Sequence, residues 1–242
     1  MLLTSFRYGI ISMMVWSSLA ASQVPPASRI TQLDKGRTSG QFYVNSGLGL
    51  RYQLPNGWAV GEKETAASHQ FLWVDRPPAK GQPTSAIQCS KNLLFVTKHP
   101  EGMALSGFDP MALIIAIDPT CFPEISFPKS TKEREAIQRA AGQILSHLQT
   151  PGEVVRAPAR VRAFDNAGRV MLDISRPLSI TTREVTLGSR ATIRNVDRSV
   201  LILPTGNYWV AWIFVTGDDV DMDYLKATKI FLDGPSDSSS IK

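Results

Sequence analysis

Residues 208 to 215 read Tyr-Trp-Val-Ala-Trp-Ile-Phe-Val, and this run leaves the chain few ways to fold. Successive side chains of a strand point to opposite faces, so Trp209, Ala211, Ile213 and Val215 share one face and Tyr208, Val210, Trp212 and Phe214 the other. Both sets are apolar, and a strand of that kind must be covered on both sides. A second apolar run, Val200, Leu201, Ile202 and Leu203, precedes it. Pro204, Thr205, Gly206 and Asn207 between the two runs supply turn chemistry, so residues 199–215 read as a hairpin. The spacing after it predicts a closing helix over 219–229, ended by the short apolar stop Ile230, Phe231 and Leu232.

The rest of the chain supplies candidates for the covering layers. Phe42 and Val44 alternate with Gln41, Tyr43 and Asn45, and Leu48, Leu50, Tyr52 and Leu54 continue the alternation to Pro55-Asn56-Gly57, after which Trp58 and Val60 restart it. An opening hairpin with Phe42 and Val44 inward is expected. Short strands are expected at 71–74, 93–96 and 111–117, with a turn-rich connection at 98–110 long enough to line a cleft. The clearest helix is 130–149, where Ser130 and Glu133 have capping-box spacing and Ile137, Ala140, Ala141, Ile144, Leu145 and Leu148 form one stripe. Pro151-Gly152 ends it. A further hairpin is expected about the loop Asp165-Asn166-Ala167-Gly168, and with the hairpin at Val200 it suggests an antiparallel meander. Residues 181–195 fit either a strand or a connection.

The first 22 residues carry Arg7, a short apolar core and small residues at Ser18, Ala20 and Ser22, the pattern of a secretory signal peptide. That core is too short to span a bilayer, and no later run reaches the roughly 18 apolar residues of a membrane helix. The expected product is therefore exported, periplasmic or extracellular, with a leader at 23–40, one domain at 41–234 and a disordered tail at 235–242. Loss of Arg7 lowers the formal charge from +5 to +4. Arg156, Arg160, Arg162, Arg169, Arg176, Arg183, Arg190, Arg194 and Arg198 fall at strand-like spacing and read as the solvated edge of a sheet. They lack the interleaved aromatics of a nucleic-acid surface.

Cys89 and Cys121 suit an oxidising compartment, and a bridge between them would contribute roughly 3 to 4 kcal/mol by loop closure. Two buried thiols are the alternative. A nucleophilic Cys121 with His99 as base and Asp118 or Asp109 as orienting carboxylate is a minor reading. Asp218, Asp219, Asp221 and Asp223 suggest a calcium loop, but Tyr224 and Ile230 stand where its Gly and bidentate Glu belong, so helix-end electrostatics explain the cluster without a metal. No cofactor is expected. The match of Ser126 and Lys129 to Ser-x-x-Lys is weakened by Pro128.

The run Leu48-Gly49-Leu50-Arg51-Tyr52-Gln53-Leu54-Pro55-Asn56-Gly57-Trp58 resembles the opening of the PsbP-like group of secreted and lumenal domains. Gly206-Asn207-Tyr208-Trp209-Val210, followed by a final helix and Ile230-Phe231-Leu232, is similar to that group's other end. The resemblance implies an α+β fold in which an antiparallel sheet lies between helices, an α/β/α sandwich. It also implies a non-catalytic binding or assembly module of the cell envelope, partnered by an envelope protein or a small ligand. The alternative is a small-ligand carrier or an envelope hydrolase, with a site near 98–123 and a pocket lined by Trp58, Trp73 and Trp209 or Trp212.

Overall fold

The structure, a computed structural model, describes residues 29–61, 89–98, 110–148, 153–184, 190–217 and 230–232. Among the described residues twelve strands form two antiparallel sheets. The strands are β1 (Arg37–Ser39), β2 (Phe42–Asn45), β3 (Leu50–Gln53), β4 (Ala59–Val60), β5 (Ser90–Thr97) and β6 (Met111–Ile117). They continue with β7 (Val154–Val155), β8 (Arg160–Asn166), β9 (Arg169–Glu184), β10 (Arg190–Thr205), β11 (Tyr208–Gly217) and β12 (Ile230–Leu232). The large sheet runs β4-β5-β6-β11-β10-β9-β7, with β8 also on β9, and the small sheet runs β1-β2-β3-β12. One α-helix, α1 (Arg134–His147), is found among the described residues.

The doubly apolar strand is β11, and it sits in the middle of the large sheet between β6 and β10. Its hairpin with β10 closes over Gly206 and Asn207, with Gly206 left-handed at φ 56° as such a tight turn requires. Trp209, Ala211, Ile213 and Val215 join Met111, Leu113, Ile115 and Ile117 in a core closed by Ile137, Ala140, Ala141 and Ile144 of α1. Tyr208, Val210, Trp212 and Phe214 face the other way and join Ala112, Ile114 and Ala116 against Tyr43, Leu50, Tyr52 and Trp58 of the first sixty residues. Burial of each such large side chain contributes about 1.5–3 kcal/mol, which is why neither face can be left to water.

The expected α+β fold, an α/β/α sandwich, is corrected here: the described residues form a β-rich fold of antiparallel sheets with one α-helix, and the second cover is a sheet. Residues 42–53 place one apolar alternation inward and can pave a sheet face only as paired strands. β12 then adds antiparallel to β3, Ile230 opposite Tyr52, so the apolar stop is a strand of the small sheet. The expected helix over 219–229, the strand at 71–74 and the tail lie outside the described residues, as does the signal segment 1–22. Among the described residues no helix is long and apolar enough to cross a membrane.

Three local expectations also change. The opening hairpin forms, but with Tyr43 and Asn45 buried and Phe42 and Val44 only half-buried. Polar satisfaction decides this. Tyr43 Oη donates to Lys35 O at 2.7 Å, and Asn45 Nδ2 donates to Asp34 O at 2.8 Å and to Tyr43 Oη at 3.1 Å. Asn45 Oδ1 accepts from Leu48 N at 3.1 Å, while Arg51 lies over the outer Phe42 ring at 4.1 Å. Burial pushes the Tyr43 phenol up to about 12, so it stays protonated where an exposed phenol ionises.

The helix starts at Arg134 and not at 130, because Ser130 and Glu133 spend their side chains on the turn before it. Ser130 Oγ accepts from Lys132 N, and Glu133 Oε2 accepts from Lys129 N, each at 3.2 Å. Residues 29–40, which composition assigns to a leader, hold a 3-10 turn and β1, with Ile30 fully buried and Leu33 nearly so. Lys91 Nζ on β5 donates to Thr31 O at 3.1 Å and to Leu33 O, fastening this segment to the large sheet. Truncation of that anchor, Ile30→Ala, is expected to cost about 2–5 kcal/mol in urea denaturation. An unshifted midpoint, equal to that of the exposed control Gln32→Ala, would detach the segment from the core.

Candidate functional site

The strands β8, β9 and β10, which carry half of the arginines, form the far side of the large sheet. β8 returns to β9 through a two-residue turn, Ala167 at φ 53° and Gly168 at φ 75°, the pair of positive values a type I′ turn needs. Asp165 Oδ1 accepts from Gly168 N at 3.2 Å and holds the turn. Along β8, Val161 and Ala163 are half-buried against the helix-side core, whereas Arg160, Arg162 and Phe164 are exposed. Among the described residues β8 pairs with β9 alone.

The exposed face of β8 is anchored to a buried carboxylate. Arg162 lies opposite Asp173, which is only 1% exposed, and donates through Nη2 at 2.9 Å and Nε at 3.2 Å to Oδ2. Asp173 Oδ1 accepts from Ser199 Oγ at 2.9 Å and Ser175 Oγ at 3.2 Å. Four donor groups therefore satisfy this carboxylate, and both of its oxygens are committed to Arg162, Ser175 and Ser199. What the cluster does is hold the Arg162 guanidinium at the surface, 5.7 Å from the centre of the Phe164 ring.

A second ion pair fixes the neighbouring edge. Arg198, 2% exposed, donates through Nη1 at 2.7 Å and Nη2 at 3.1 Å to the two oxygens of Glu153, with Arg176 Nη1 4.0 Å from the same carboxylate. Burial lowers the Arg198 pKa, and the Glu153 hydrogen bonds and charge oppose that shift. Glu153 stands directly before β7, whose Val154 and Val155 are 63% and 49% exposed. Arg156 N then donates to Pro177 O at 3.1 Å.

The residues singled out from sequence fall elsewhere. Cys89 and Cys121 form a disulfide with alpha carbons 5.9 Å apart. The bridge ties the start of β5 to the turn after β6 and commits the Cys121 sulfur, which removes it as a nucleophile. Asp118 caps that turn by accepting from Thr120 N at 2.9 Å and Thr120 Oγ1 at 2.6 Å. His147 of α1 packs edge-on against Phe122 at 4.8 Å, with Nε2 3.4 Å from Glu124 Oε1. His99, Asp109, Trp73, most of 98–110 and the acidic group Asp218, Asp219, Asp221 and Asp223 lie outside the described residues.

Trp209 sits in the helix-side core with Phe122 and Phe127, while Trp58 and Trp212 sit in the core between the sheets, so these three do not line one pocket. Among the described residues no group of three or more His, Cys, Asp or Glu is placed to hold a metal. The two ion pairs were missed from sequence, and Arg198 is a correction to the solvated-edge reading. Its signal was legible: Val196 and Val200 flank it at alternate positions, in the register of the core.

No family model and no curated protein matches the chain. Removal of one ion-pair partner, Glu153→Gln, strands the buried Arg198 charge and is expected to cost about 3–5 kcal/mol in urea denaturation. A loss of less than about 0.5 kcal/mol, the size of an ordinary surface change, would mean the pair is not buried as described.

Proposed function

We propose that the chain is an exported, non-catalytic binding or assembly module of the bacterial cell envelope, and that it meets its partner along the β7–β8 edge of the large sheet. The observation that carries this reading is the concentration of exposed apolar and cationic side chains on that edge. Val154, Val155 and Phe164 are exposed there beside Arg156, Arg160 and Arg162. Exposed apolar groups rimmed by charge are a common make-up of contact surfaces.

Export is supported by the signal-peptide pattern of residues 1–22 and by the Cys89–Cys121 bridge, since disulfides persist in oxidising compartments. The non-catalytic part is supported by the commitment of the most reactive candidates: Cys121 to the bridge and Asp173 to four hydrogen bonds. The separation of Trp209 from Trp58 and Trp212 favours a module over a carrier whose ligand those rings would surround.

Site-specific photocrosslinking in a bacterial host tests the reading. A photoreactive phenylalanine analogue in place of Phe164 is expected to yield a discrete adduct in the exported fraction. The same group in place of Gln138, on the outer face of α1, is expected to yield none. Adducts from Gln138 alone, from neither position, or only in the cytoplasmic fraction would contradict it.

A further inference from the structure

The charge of this chain is distributed unevenly along it. Residues 153–198 hold nine arginines, no lysine and five acidic residues, a net of +4, which equals the formal net charge of the chain without Arg7. The remainder after residue 22 therefore balances to zero. Two of the five carboxylates in this stretch are drawn inside, Glu153 onto Arg198 and Asp173 onto Arg162, and Asp165 is held in its turn. Arg162 is thereby offset by Asp173, and the outer surface of β8 is left with Arg160, with Arg156 just before the strand.

The hairpin turn also determines which backbone groups of β8 are open. A two-residue turn makes Asn166 and Arg169 a mutually hydrogen-bonded pair, and such pairs recur at every second residue. Phe164 with Met171, Arg162 with Asp173 and Arg160 with Ser175 thus form the inward ladder. The N–H and C=O groups of Val161, Ala163 and Asp165 point along the sheet plane away from β9. An incoming strand could pair with them, and its alternate side chains would then stand about 5 Å from Arg160, Arg162 and Phe164.

We infer that this edge binds an extended acidic segment of a partner protein, added to β8 as a further strand with carboxylates at alternate positions, one of them against Arg160. This rests on the edge-binding reading above and names the chemistry of the occupant. Charge complementarity selects it: a second copy of the chain would bring its own cationic β8 to the same seam, where like charges oppose pairing. Strand addition derives affinity from main-chain bonds and specificity from alternate side chains, and the edge offers both.

The test is an amide-resolved NMR titration of the oxidised mature chain with a peptide of alternating Glu and Thr, against a Lys-Thr peptide of equal length. Shifts confined to 156–166 with new protection of the Val161, Ala163 and Asp165 amides are expected. Affinity should fall severalfold between about 50 and 200 mM salt. Ala163→Pro removes one outward N–H without touching the inward ladder, so it should weaken binding about tenfold or more while the melting temperature holds within a few degrees. Arg160→Glu should weaken it about fivefold or more.

Equal binding of the Lys-Thr peptide, or shifts elsewhere, would overturn the inference. So would competition by phosphatidylglycerol vesicles at 156–166, concentration-dependent broadening of β8 without peptide, or β8 amides already protected in the free chain. Photocrosslinking from position 164 does not depend on the peptide's charge. Adducts there without acidic-peptide binding would discard the acidic occupant alone, and loss of both would discard the edge as well.

Discussion

Strand β11 cannot be exposed on either face, and the rest of the molecule follows from that. Eight consecutive side chains of this strand, Trp209 to Thr216, are buried, and the neighbours β6 and β10 carry their own apolar sets at matching register. Two cores result, one closed by the stripe of α1 and one by the small sheet. Contacts then lock the layers: Thr205 Oγ1 donates to Leu48 O at 3.2 Å, and Gln143 Nε2 of α1 donates to Glu124 O at 2.6 Å. The disulfide is a further constraint at the end of β6, where the chain leaves the sheet toward the helix.

Away from β11 the sheet changes character. β9 and β10 are each sixteen residues long and outrun β11, and the ion-paired Arg198 and Asp173 and the hydroxyls of Ser175 and Ser199 interrupt the apolar register between them. Buried pairs such as Glu153 with Arg198 contribute little net stability, because desolvation offsets most of the attraction, yet they are costly to break. Here Glu153 and Arg198 are buried together, while the Asp173 pair holds its carboxylate inside and its Arg162 partner at the surface. An edge strand with free amides is a liability that proteins blunt with charge or occupy with a partner, and the β8 arginines fit both needs.

The central hairpin, the strands β5 and β6, the helix stripe and the β8–β9 turn were all legible, because periodicity and turn chemistry are local properties. The identity of the second cover was not. Tyr43 and Asn45 read as outward polar positions, and only the reach of their polar atoms to Lys35 O, Asp34 O and Leu48 N makes them inward ones. Asp173 was hidden for a similar reason: it alternates with Leu172 and Ile174 as a solvent-facing residue would, and its burial depends on Ser199 and Arg162, far along the chain. Long-range pairing of this kind leaves no mark in a short window of sequence.

Native-state hydrogen exchange tests the central place of β11 most directly. If both cores hang on it, the amides of β11, of β6 and of 196–203 in β10 open only with the whole domain, at the free energy found by denaturant unfolding. α1 and the small sheet should then open at lower free energies, each by its own partial unfolding. Exchange of β11 amides at a lower free energy than those of α1 would contradict the account and move the organising element to the helix side.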